Sequence, residues 1–440
     1  MRNRCLCAVA FLPAILCWGQ TPEAPALLSR GVAAESGLPR AGVLQPYAGA
    51  FSGYDNGPLS TSLDRPGGAF QEVEGGLSFL RRGTRAEIRL DYRFDLRHYQ
   101  ASSRLDRSNQ ALTVDTRFHI SRRWTVMLRD TGSSASYDSP SQPAGTGVAE
   151  GFLVGVGPEV FHSRTIAQTG MADVIFAPTA RTSVSVGGDG FLIQRQFAPL
   201  IDAVGWRARA DVARRYSRHR TVSLSYSFTH FDHARSFGGA EYAVFALGHS
   251  VRLSRRSEID LLAGAGRLQS AGLRAVSLDP EISRLLGISR GVETFHLDTW
   301  APHVTAAWVQ GVGRAELRVQ FAREVTDGGG LTGLARQNEG SLAFQTAHVR
   351  SAWRPGIHII VRTYRSLDTI LYSNVTASAG LSLARRLGSQ TEAVVRYDFG
   401  FYNFEEGLLR NFQRRQFAAG VTCYFSGRAT PPNFDRAIRP

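Results

Sequence analysis

The chain has 440 residues and a formal charge of +14, with every one of its 51 basic side chains an arginine, against 37 acidic ones. Three of the four cysteines (Cys5, Cys7 and Cys17) lie in the first few turns of sequence, so a disulfide framework is excluded for the rest, which keeps only Cys423. The positive balance favours anionic partners, but the arginines alternate with Asp and Glu instead of forming one basic patch, which excludes a nucleic-acid-binding reading.

The opening stretch MRNRCLCAVAFLPAILCWGQ has Arg2 and Arg4, an apolar run from Cys5 to Trp18 and then Gly19, the layout of a secretory signal peptide over 1–19. That run is shorter than the roughly 20 apolar residues of a helical membrane crossing. Residues 20–43, rich in Pro and Ala, read as a periplasmic linker, too short for the plug domain of a gated transporter. No later apolar run suits a transmembrane helix.

From residue 44 onward the pattern has period two, the signature of strands whose faces meet different surroundings. A first strand falls in 44–52. In RAEIRLDYRFDLR, 85–97, Ala86, Ile88, Leu90, Tyr92, Phe94 and Leu96 form one face, and Arg85, Glu87, Arg89, Asp91, Arg93, Asp95 and Arg97 the other. Next, Trp206, Ala208, Ala210 and Val212 oppose Arg207, Arg209 and Asp211. In 221–229 the hydroxyls Thr221, Ser223, Ser225, Ser227 and Thr229 oppose Val222, Leu224, Tyr226 and Phe228. Further on, Leu317, Val319 and Phe321 oppose Glu316, Arg318 and Gln320; Val395, Tyr397 and Phe399 oppose Arg396 and Asp398; a last strand falls in 412–425. Such strands exceed the usual length of about five or six residues and suit a tilted membrane crossing.

Two phrases nearly repeat: RFHISRRWTVMLR, 117–129, and RRYSRHRTVSLSYSFTHF, 214–231. Each reads as strand, arginine-rich turn, strand. Short turns fall near Arg82-Gly83, Arg122-Arg123, Pro178-Thr179, Arg218-His219, Arg255-Arg256, Val312-Gly313, Pro355-Gly356 and Gly388-Ser389. They alternate with longer connections at 53–69, 99–109, 132–164, 193–201, 232–239, 267–298, 325–339, 366–372 and 403–411. This predicts an all-β chain: a transmembrane antiparallel up-and-down β-barrel over 44–425, of about 16–18 strands, with short periplasmic turns and long extracellular loops. A β-propeller fits worse, since its blades use about four short strands per period.

On this pattern the chain resembles the porin-like outer-membrane β-barrel proteins of Gram-negative bacteria, and more loosely those associated with exopolysaccharide export. The resemblance implies a place in the outer membrane among its lipids, and assembly by the barrel assembly machinery, which reads a closing aromatic strand. Here QFAAGVTCYF, 416–425, sets Phe417, Val421 and Phe425 on one face as that signal. The tail 426–440 departs from the group by standing after the aromatic residue.

The face expected to line the lumen and set selectivity carries Arg85, Glu87, Arg89, Asp91, Arg93, Asp95, Arg97, Arg207, Arg209, Glu316, Arg318, Arg396 and Asp398. Charges of both signs along a wet wall orient polar solutes. The expected function is a polar, arginine-rich channel for passive passage or export of small polar or anionic solutes or saccharides. The alternative is a structural or adhesive barrel with a filled lumen, whose extracellular loops bind partners. Loops 132–164 and 267–298 are candidates to fold inward, the second with a helix start at Asp279-Pro280-Glu281. No enzyme is expected, since neither a serine elbow nor His-Glu-x-x-His is recognised. In THFDH, 229–233, His230 and Asp232 share a face that His233 does not, so no metal is expected there, and no cofactor.

Overall fold

The computed structural model describes residues 43–56, 67–101, 106–135, 164–196, 201–233, 238–288, 290–313, 315–326, 334–346, 352–367, 373–404 and 411–425. The expected signal peptide, the linker up to residue 42 and the C-terminal tail lie outside the described residues, while Val43, expected to end the linker, opens β1.

Eighteen strands account for nearly all of these residues. They are β1 (Val43–Asp55), β2 (Gly68–Arg82), β3 (Ala86–Tyr99), β4 (Arg107–His119), β5 (Trp124–Ala135), β6 (Thr165–Thr179), β7 (Thr182–Arg195), β8 (Ala203–Ser217) and β9 (Arg220–His233). The second half holds β10 (Gly238–Ser254), β11 (Ser257–Ser277), β12 (Arg290–Val312), β13 (Ala315–Thr326), β14 (Ala335–Thr346), β15 (Trp353–Ser366), β16 (Ser373–Arg386), β17 (Thr391–Phe404) and β18 (Phe412–Tyr424). Each strand pairs antiparallel with its neighbours in sequence, and β1 pairs with both β2 and β18, so the sheet closes on itself with no free edge. The number is the upper end of the expected range.

The recurrent phrase now has a physical cause. At four of the tight turns a hydroxyl side chain accepts the backbone amide two residues on: Ser121 from Arg123 (3.2 Å), Thr179 from Arg181 (3.2 Å), Ser217 from His219 (3.2 Å) and Ser254 from Arg256 (3.1 Å). Ser and Thr stabilise such turns by mimicking a backbone acceptor. The arginines beside them stand at the water-facing strand ends.

Two boundaries differ from the sequence reading. Pro355 and Gly356 lie inside β15, which begins at Trp353, so that turn falls before Trp353. The expected loop 267–298 is mostly sheet: β11 and β12, with 21 and 23 residues, pair from Ser257↔Gln310 out to Ser277↔Arg290. Alternation weakens there because both faces of a hairpin that outreaches its neighbours meet polar surroundings. At its tip sits α1 (Pro280–Leu286), capped by Asp279, whose carboxylate accepts Glu281 N at 2.8 Å, and ended by Gly287 at φ +67°. Of the expected loop 132–164, residues 136–163 lie outside the described residues.

Candidate functional site

Alternation along β3 sets Glu87, Arg89, Asp91, Arg93, Asp95 and Arg97 on one face, and register continues that face onto Glu72, Glu74 and Ser78 of β2 and Asn109 and Asp115 of β4. Polar side chains on this face are buried, Arg97 to 2 % and Glu72 to 3 % exposure, which makes it the inner wall. Many of the wall's charges fall in two networks, while pairs such as Arg129–Asp115 (2.6 Å) and Arg362–Glu339 (2.7 Å) stand apart from them.

The first spans the seam where the barrel closes. Arg414 of β18 donates to Asp55 of β1 (2.7 and 3.1 Å), and Tyr99 Oη donates to the same carboxylate (3.0 Å). Arg97 is paired with Glu72 through Nε (2.8 Å) and Nη2, and donates to Gln416 Oε1 (3.1 Å). Arg396 of β17 holds Glu74 with contacts of 3.0 and 3.1 Å. Arg97 and Arg396 also lie over the rings of Phe70 and Phe51, each 4.2 Å from the centroid.

The second joins β6, β7 and β8. Arg209 reaches Asp173 (2.7 Å) and Asp189 (2.9 Å), while Arg207 holds Asp189 (2.7 Å). Gly187 stands opposite Asp173 and Arg209 in the register. A Cβ there would lie 1.8 Å from Asp173 Oδ1, so glycine is what admits the pair.

The other expected wall residues are spread round the barrel. Arg89 contacts Asp91 (2.6 Å), and Asp398 lies 3.9 Å from His358 Nε2. Glu316 and Arg318 take inward register positions on β13, opposite Gln345 and Ala343. Arg85 falls in the turn before β3. Sequence reasoning did not pick out Asp55, Glu72, Glu74, Asp173, Asp189 or Arg414. Glu72 and Glu74 had a readable signal, the alternation in QEVEGG, whereas Asp189 stands alone among glycines.

An apolar sector, also unexpected, lines the wall toward the long-loop ends of β7–β12. Phe191, Ile193, Phe231, Tyr242, Val244 and Leu268 form one buried cluster there. In β10 the inward Tyr242, Val244 and Ala246 alternate with outward Phe245 and Leu247, 55 % and 60 % exposed, so both faces are apolar and alternation is silent.

His230 Nε2 lies 3.2 Å from Asp232 on the outer face, while His233 takes the inward register, opposite Ala203. Among the described residues no group of three His, Cys, Asp or Glu could hold a metal ion. One Gly-x-Ser-x-Gly string does occur, GISRG at 287–291, against the expectation of none. It runs from the helix cap Gly287 to Gly291 in β12. A nucleophile elbow needs the opposite order, strand to turn to helix. Ser289 itself lies outside the described residues.

The opposite face of the sheet decides what surrounds the barrel. Val222, Leu224 and Tyr226 on β9, Ile357, Ile359 and Val361 on β15, and Phe417 and Val421 on β18 are 37–47 % exposed, while Thr221, Ser223 and Thr229 are buried inside. An apolar band of this extent round a closed sheet with a polar interior matches lipid, not water. The fold is that of a porin-like outer-membrane β-barrel. No helix among the described residues is long and apolar enough to cross a membrane, and the strands of this barrel do the crossing. Phe417, Val421 and Phe425 all face outward in the band.

No protein-family model matches the chain, and no curated protein does. Among solved structures it is similar to Pseudomonas aeruginosa OccK2 (OpdF) in complex with glucuronate, at 10 % identity and TM-score 0.42, over 88 % of this chain and 98 % of that one. It is also similar to Pseudomonas aeruginosa OpdK with vanillate (11 %, TM-score 0.40, 87 % and 99 %) and Acinetobacter baumannii OccAB4 (8 %, TM-score 0.40, 88 % and 100 %). Strand order, register and closure define the fold independently of these likenesses.

Proposed function

We propose that the barrel is a channel for small polar solutes with a preference for anions. One observation carries the reading: in several ion pairs of the inner wall the guanidinium is the more open partner. Side-chain exposure is 16 % for Arg207 against 3 % for Asp189, 18 % for Arg396 against 11 % for Glu74, and 17 % for Arg89 against 10 % for Asp91. The carboxylates sit beneath, so the charge offered to the lumen there is positive. A closed barrel of this strand number leaves an aqueous interior unless chain fills it, and such a wall attracts and orients carboxylates and other oxyanions. The apolar sector across β7–β12 would suit the carbon skeleton of such solutes. None of these features speaks for export of saccharides. Arg85, Glu87, Arg93, Asp95, Arg97, Arg209, Glu316, Arg318 and Asp398 complete the proposed selectivity wall.

The second reading, a structural or adhesive barrel with a filled lumen, has its own observation. Arg97, Arg209 and Arg414 are 1–8 % exposed and saturated by carboxylates, as in a packed interior.

Conductance across a planar bilayer, with reversal potential in a salt gradient, separates the two. The channel reading expects stable open steps and anion preference, reduced by Arg89→Ala, Arg93→Ala and Arg318→Ala. Silence from inserted, β-rich protein overturns it in favour of the filled barrel.

A further inference from the structure

The outer face carries a group of like charges that the channel does not use. Arg323 of β13, Arg336 of β14 and Arg365 of β15 lie on the lipid-facing side near the long-loop ends of three adjacent strands. Arg336 and Arg365 are direct cross-strand partners, and Arg323 pairs with Asn338, whose amide donates to Thr363 Oγ1 at 2.9 Å. Like charges placed directly opposite across a strand pair are destabilising. The charges acting on Arg336 are those of Arg323 and Arg365, and Nε of Arg323 is buried with no hydrogen-bond partner. Among the described residues none of the three arginines has a carboxylate partner.

Two other groups of charges on the outer face are self-satisfied. Arg267 is held by Asp298 at 2.6 Å, with Gln269 donating to the same carboxylate at 3.2 Å. His230 is flanked by Asp232 and Glu241 at 3.2 and 3.6 Å. Arg415 of β18 stands exposed and singly on this face, whereas Arg323, Arg336 and Arg365 gather three guanidiniums on adjacent strands with no carboxylate among the described residues to compensate them.

Its height in the membrane follows from β15. Outward positions run from Trp353 through Ile357, Ile359 and Val361 to Thr363 and Arg365. Twelve residue steps at about 3.3 Å, tilted by about 40°, rise roughly 30 Å, the thickness of the hydrocarbon layer. Trp353 and Arg365 therefore stand at its two boundaries. Phe321 of β13, 44 % exposed, is the last apolar outward residue below Arg323. The three guanidiniums thus sit where hydrocarbon gives way to headgroups, and planar guanidinium forks match phosphate oxygens.

We infer that Arg323, Arg336 and Arg365 bind the phosphorylated headgroup of a lipid in the leaflet on the long-loop side. The bound phosphate supplies the negative charge that the protein itself does not place there. This site depends on the barrel spanning a membrane and is independent of whether its lumen conducts.

The test uses the full barrel in neutral detergent micelles titrated with phosphorylated lipid A, its dephosphorylated form, or inorganic phosphate, read by native mass spectrometry and by the thermal unfolding midpoint. Wild type is expected to retain phosphorylated lipid A saturably and to unfold at a higher temperature with it. The triple change Arg323→Gln, Arg336→Gln and Arg365→Gln should weaken retention at least about tenfold, the scale of one lost charge-assisted bond. The single exposed change Arg365→Gln should weaken it in part, covering the case in which the triple variant does not fold. Arg267→Gln should leave it unchanged. Equal retention of the dephosphorylated lipid, or retention unaffected by the arginine changes, overturns the inference; an equal shift with inorganic phosphate overturns the lipid assignment. Conductance in the variants should match wild type, so failure here is separable from failure of the channel reading.

Discussion

Arg414 of β18 grips Asp55 of β1 across 359 positions of sequence, Nη2 lying 2.7 Å from Oδ2, with both side chains buried at 8 % and 0 % exposure. The pair sits at the one junction that no hairpin makes, where the last strand meets the first. Removing one partner of such a pair leaves an uncompensated buried charge, at a cost of about 3–5 kcal/mol. Asp55→Ala and Arg414→Ala should each lower barrel stability by that order, measured by urea unfolding after reconstitution. The double variant should be less unstable than the sum, because neither charge is then stranded. Strict additivity would show that the pair does not hold the seam.

The barrel itself was legible because its grammar is local. Alternation in RAEIRLDYRFDLR and among the hydroxyls of 221–229 divides β3 and β9 into two faces that burial also distinguishes, in β3 toward its long-loop end, since a strand between lipid and a polar interior has only two environments to satisfy, while Arg85 falls in the turn before β3. The partners across the wall were not legible. Nothing near Arg97 in sequence points to Glu72, or near Arg396 to Glu74, because those pairings depend on register and closure. The apolar sector escaped for the opposite reason: where Tyr242 and Val244 face inward and Phe245 outward, period two carries no contrast. The outward arginines were hidden too, since Arg323 continues the odd positions of Leu317, Val319 and Phe321, a stripe assigned to lipid.

Gly187 is the narrowest point of the second wall network. A methyl group there would lie 1.8 Å from Asp173 Oδ1 and 2.5 Å from the Ala172 carbonyl oxygen, and the backbone oxygen cannot turn away. Gly187→Ala should destabilise by about 1–3 kcal/mol of overpacking, and more if Asp173 loses Arg209. A control at Gly132, where an added Cβ meets nothing within 4 Å, should be near neutral. Equal effects at the two glycines, in the same unfolding assay, would remove close approach as the reason for Gly187.

The tip helix α1 makes a local prediction. Its seven residues are held by the Asp279 cap and the left-handed Gly287. Asp279→Ala should cost about 1 kcal/mol of local helix stability, visible as faster amide exchange at residues 281–286 with the strand amides of β11 unchanged. Loss of protection throughout β11 would mean that the cap supports the hairpin and not just the helix.

Asp106 offers a pH test outside the crossing strands. It precedes β4 in the connection from β3, accepting from the Tyr99 amide at 3.0 Å and lying 2.8 Å from His98 Nδ1. Partial burial works to raise its carboxyl, but the hydrogen bonds from His98 and Tyr99 outweigh it and hold the group below the ordinary carboxylate value. A folded value depressed in this way means that its contribution is fully present above the unfolded value, about 3.9, and is lost as pH falls through the folded one. At 39 % side-chain exposure that contribution is screened and small, so global stability is the wrong readout. The Tyr99 amide resonance should instead shift on acidification with a midpoint below about 3.9, and Asp106→Asn should remove the step. A midpoint at or above that value would mean that burial, not the two hydrogen bonds, dominates at Asp106.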